Sequence, residues 1–75
     1  HLKPNPVDEI LYVTLDISIF KNYFIRSING NILLSDDIIK NQFEINLRYI
    51  PEGIYIFEAI SDKNKSVIKV IKKGS

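Results

Sequence analysis

Catalysis or metal binding needs nucleophiles, bases or ligands that converge, and this chain offers few. Its one histidine is His1, it has no cysteine, and no glycine-rich phosphate loop is present. No Ser-His-Asp or Cys-His arrangement can be assembled without an internal imidazole. A metal needs several convergent ligands, and a lone imidazole at a chain end is not a site. Asp36, Asp37 and Asp62 are the carboxylates that could hold Ca²⁺ or move protons. Side-by-side residues of an extended chain point to opposite faces, and a calcium loop wants oxygens at several alternating positions. Asp36-Asp37 therefore reads as a solvated loop. Tyr12 and Tyr49 could stack a sugar, but singly exposed aromatics are ordinary. Lys69, Lys72 and Lys73 make a basic end that either blunts an edge strand or serves in weak electrostatic docking. The expectation is a non-enzyme with no cofactor and no metal.

The elements that hold these residues are strands. Leu11, Val13 and Leu15 alternate with Tyr12 and Thr14, a period of two that predicts a strand over 8–15. Pro4 and Pro6 suit an extended lead-in. A short apolar stretch covers Ile17 to Phe20, and Tyr23 to Ile28 is apolar on both faces, the pattern of a covered strand. Asn29-Gly30 then predicts a two-residue type I′ hairpin, with φ > 0 at both positions, and Ile32-Leu33-Leu34 returns antiparallel. Ile38-Ile39 is a candidate for a further brief strand.

Gln42 to Leu47 alternates cleanly, with Phe43, Ile45 and Leu47 on the inner face. Pro51-Glu52-Gly53 breaks the pattern. A strand follows over 53–61, with Tyr55, Phe57 and Ala59 opposing Ile54, Ile56 and Glu58. Tyr55, just past a proline turn, is placed to hydrogen-bond back to the turn backbone as a structural clamp. Asp62 to Lys65 is a polar turn, and Ser66 to Lys72 closes the domain. Short strands with turns every 8–12 residues predict a small all-β antiparallel sandwich, Ig-like, of about six or seven strands. Leu11, Val13, Phe43, Ile45, Leu47 and Ile68 are expected to share its core.

Composition narrows the partners. With 75 residues the chain is one small domain or a piece of a larger protein, and aliphatic packing, not disulfides, must hold it. A net charge of +1 lacks the clustered basic face of a nucleic-acid module. No apolar run approaches the ~20 residues of a membrane helix, so membrane insertion is not expected.

Three marks in order carry a resemblance. Pro4-Asn5-Pro6 opens the chain, Ile28-Asn29-Gly30 precedes an apolar return, and Ile50-Pro51-Glu52-Gly53-Ile54-Tyr55 precedes the longest strand. Lys69-Val70-Ile71-Lys72-Lys73 closes it. Together they resemble the C-terminal sorting domain of proteins exported by the type IX secretion system of Bacteroidetes-type bacteria. The likeness spans Pro4 to Lys73, with 1–3 a lead-in and Gly74-Ser75, like His1, reading as an appended end. Departures are Arg26-Ser27 where the family often has Tyr-Asp, and Asn31 in its usual basic place.

The resemblance implies an address attached to a cargo domain. Its partners would be an outer-membrane translocon, a shuttle protein and a sorting peptidase that usually removes it. The cargo would cross the periplasm and finish at the cell surface or outside the cell. Pro4, Asn5, Pro6, Asn29, Gly30, Pro51, Gly53, Tyr55, Lys69, Ile71 and Lys72 are the residues it nominates for recognition. The alternative is an Ig-like or fibronectin-like spacer or adhesion module, where the same proline corner occurs. A carbohydrate-binding module stands third and would need clustered exposed aromatics.

Overall fold

A computed structural model describes residues 6, 7 and 9–73. Seven strands run through them: β1 (Pro6–Val7), β2 (Ile10–Thr14), β3 (Asn22–Ser27), β4 (Ile32–Asp37), β5 (Gln42–Asn46), β6 (Gly53–Ile60) and β7 (Lys65–Lys72). They form a five-stranded sheet in the order β1-β7-β6-β3-β4 and a two-stranded sheet of β2 and β5. The all-β, two-sheet architecture is the expected one. It is not wholly antiparallel, because β1 pairs parallel to β7, with Pro6 opposite Ile71 and Val7 opposite Lys72.

The core lies between the sheets and follows the period of two. Leu11 and Val13 from β2 and Ile45 from β5, with Leu47 just beyond it, meet Tyr23, Ile25, Tyr55, Phe57, Ala59 and Val70 of the larger sheet. Phe57, Ile25, Leu47 and Val13 are the largest fully buried side chains. Phe43 and Ile68 pack against this cluster while keeping part of their surface in solvent. Tyr23 sits between two rings, its centroid 5.5 Å from Phe43 and 5.8 Å from Phe57, so one stack joins the sheets. Of the six residues expected in the core, Leu11, Val13, Ile45 and Leu47 are buried in it and Phe43 and Ile68 flank it, while the larger sheet supplies most of the rest.

Three local expectations change, and a stretch left without an element gains one. The hairpin between β3 and β4 exists, but no non-glycine residue described has positive φ, so Asn29 is not in the type I′ conformation. The Ser27 amide donates to the Asn31 carbonyl, and the Gly30 amide donates to the Ser27 carbonyl. The loop is thus three residues, Ile28-Asn29-Gly30, with only Gly30 left-handed at φ 92°. A bulge follows, where the register shifts between Ile25 and Arg26, and this lets a three-residue loop serve two regular strands.

Asp36 and Asp37 belong to β4 and not to a loop, since Tyr23 and Asn22 supply pairing partners that the local sequence does not reveal. Ile38-Ile39 forms no strand; Ile38 is buried and its amide donates to the Lys21 carbonyl, which ends the ladder. Ile17 to Phe20 is a turn. Asp16 accepts from the Ser18 amide and hydroxyl at 2.9 and 2.6 Å, and its carbonyl accepts from Ile19 and Phe20. A side-chain carboxylate offering this local alternative outcompetes strand pairing.

Candidate recognition surface

The proline corner is built as its residues dictate. Tyr55 is buried near the start of β6, and its hydroxyl donates to the Pro51 carbonyl at 2.6 Å. The clamp closes the turn over Gly53, whose φ of 154° is a conformation L side chains rarely adopt. A Cβ at Gly53 would meet the Tyr55 ring at 3.8–4.0 Å, ordinary contact, so backbone conformation and not space selects glycine there.

Register gathers the other marks at the same end of the large sheet. Gly53 pairs with Lys72, and Ile54 with Ile71. Pro6 and Val7 sit across from Ile71 and Lys72 on the other side of β7. Tyr55 pairs with Ser27, which begins the Asn29-Gly30 loop. Pro6, Asn29, Gly30, Pro51, Gly53, Tyr55, Ile71 and Lys72 thus share one pole, although they span most of the chain. Pro4 and Asn5 lie outside the described residues.

Lys69 and Lys72 differ sharply in environment. Lys69 is exposed on the outer face of β7. Lys72 is only 6% exposed, and its ammonium donates to the Lys73 carbonyl. The terminal strand is also not a free edge along its whole length, because β1 covers it at Ile71 and Lys72. Among the described residues no strand pairs with its outer edge from Lys65 through Val70.

A charge cluster on the outer face of the large sheet escaped sequence reasoning. Arg26 Nε donates to Glu58 Oε1 at 2.7 Å, and Lys65 Nζ lies 3.0 Å from Glu58 Oε2. Glu58 is covered by these neighbours, and their hydrogen bonds hold its carboxyl below the usual glutamate range. Arg26 also sits over the Phe24 ring at 5.1 Å. No spacing rule reveals this cluster, since its members come from three strands. The one legible sign is a glutamate at the outward position of a strand otherwise filled with isoleucine.

Between β4 and the small sheet lies a groove of about 890 Å³, lined among others by Tyr12, Tyr23, Asp36, Ile39 and Phe43. Burial, and to a lesser degree Asp36, raise the Tyr23 phenol above its ordinary value. Among the described residues no group of three or more His, Asp or Glu is placed to hold a metal.

No curated protein and no solved structure gives a match to this chain. The family model described as the secretion system C-terminal sorting domain matches residues 2–73. With nearly the whole chain matched, and its proline corner, glycine turn and closing strand drawn to one pole, the protein belongs to the type IX secretion system C-terminal sorting domain family.

Proposed function

We propose that the domain acts purely as a recognised address. It binds the outer-membrane translocon and its shuttle while the attached cargo is in the periplasm. A sorting peptidase then removes it as the cargo reaches the cell surface or medium. The family match over residues 2–73 carries this reading. Two structural features support it. Eight of the eleven nominated residues share one pole, Lys69 lying farther along β7, and this would give a receptor a compact region to read. The core is closed on itself around Phe57 and Leu47, as suits a handle that folds beside unrelated cargo. We assign no catalytic step to the domain, and no observation favours the spacer reading over the sorting one.

The test is a periplasmic reporter carrying residues 2–73 at its C-terminus, in a cell with a working type IX system. The intact fusion should reach the medium or surface. Retention of folded, uncleaved fusion in the periplasm would overturn the sorting role. Truncation of Val67 to Lys73 is a poor control, because it removes buried Val70 and the strand paired with β6.

A further inference from the structure

Among the described residues the large sheet is covered on one face only, yet β6 is apolar on both faces except at Glu58. Antiparallel strands with one wet face alternate apolar with polar, whereas strands covered on both faces read as continuous apolar runs. The inner face of the large sheet packs on the β2–β5 sheet. Its outer face carries Phe24, Ile32, Ile54, Ile56, Val67 and Ile71, and among the described residues no strand lies over them. Ile54, Val67 and Ile32 are 47%, 54% and 51% exposed.

The charges on this face without an ion pair among the described residues are a cation near its middle, Lys69, and an anion at its β4 corner, Asp37. Glu58, at the centre, has both oxygens occupied by Arg26 and Lys65, so the anion itself is not orphaned when covered, while the cluster keeps one net positive charge. Asp37, at the β4 corner, accepts from Asn22 Nδ2 at 2.7 Å. Lys69, opposite Ile56 in the register, has no side-chain hydrogen bond or ion pair among the described residues. Covering it with an apolar surface alone would strand a charge, so whatever covers this face must bring a carboxylate.

We propose that the outer face of the β7-β6-β3-β4 sheet is a docking surface for a protein partner whose own face is apolar and acidic, with a carboxylate that pairs with Lys69. A second copy of this chain fits poorly, since face-to-face stacking would bring two sets of Arg26, Lys65 and Lys69 together. A bilayer fits poorly too, because the face is centred on an ion cluster. The proposal rests on and deepens the sorting reading: it names a surface that adjoins the proline-corner pole, sharing Ile71 with it, and the chemistry of what binds it.

The experiment uses the reporter fusion in the type IX cell, with a photo-crosslinking residue at Val67. A control fusion carries it at Ile39, 78% exposed but in the groove. Val67 should give a protein adduct whose cross-linked peptide contains Asp or Glu among apolar residues, and Ile39 should not give that adduct. Lys69→Glu should lower its yield about tenfold or more, equivalent to about 1.4 kcal/mol, and Lys69→Arg should preserve it. Unchanged thermal melts would show that both variants keep the fold.

No adduct from Val67, or one insensitive to Lys69→Glu, would overturn the docking face. So would an adduct to lipid, to a second copy or to the chain's own first five residues. Export is scored separately in the same cells. A periplasmic intact fusion defeats the sorting reading whatever the adduct, and an exported fusion without the adduct defeats only the docking face.

Discussion

Replacing Gly53 with alanine isolates what the proline corner demands of the backbone. Gly53 has φ 154°, and an added Cβ would find only the Tyr55 ring, at 3.8 Å or more. Crowding is therefore absent and the loss must come from conformation, a strain of about 1–3 kcal/mol for a non-glycine residue in such a region. In a domain of this length each kcal/mol shifts the melting temperature by about 4–8 °C, so Gly53→Ala should melt roughly 5–20 °C lower.

Gly53→Val should add little beyond the alanine loss if conformation is the cause. A D-alanine at position 53, introduced by chemical ligation, accepts positive φ and should melt at or above the wild type. Thermal circular dichroism reads all three. An alanine variant melting within 1 °C of wild type, or a D-alanine variant as unstable as the L form, would refute the reasoning.

Other expectations follow from neighbouring contacts. Tyr55→Phe deletes only the bond to the Pro51 carbonyl and should cost about 1 kcal/mol by urea denaturation, with the fold retained. Phe57→Ala removes a ring from the centre of the core, where Phe57 is 1% exposed, and should lose about 3–5 kcal/mol. Glu58 is held below its ordinary value in the folded state, so its contribution is present above the unfolded value near 4.5 and is lost as pH falls through the folded one. Glu58→Gln should accordingly flatten the decline in melting temperature between neutral and acid pH. An equal decline in both proteins would show that the Arg26–Glu58–Lys65 cluster contributes nothing to acid sensitivity.

The sequence by itself determined the strands that alternate and the corners that break them. Leu11, Val13, Ile45 and Leu47 are buried as their spacing requires, because a pleated strand turns every second side chain to one face. Tyr55 clamps Pro51, and Gly53 sits at positive φ, because those constraints act over four residues or fewer. The ordered marks also sufficed to place the chain in its family. Pairing between distant strands was beyond the sequence. Asp36 and Asp37 are local loop formers that become strand when β3 supplies partners, and Asp16 turns an apolar stretch aside through its hydrogen bonds to Ser18.

Only the tertiary structure decided that β1 covers the end of β7 in parallel, that Lys72 is buried while Lys69 is not, and that Glu58 meets Arg26 and Lys65. Each of these depends on which strands become neighbours and in what register. Register is set by packing two sheets over one core, a sum of many contacts far apart in the chain that no short stretch of residues encodes.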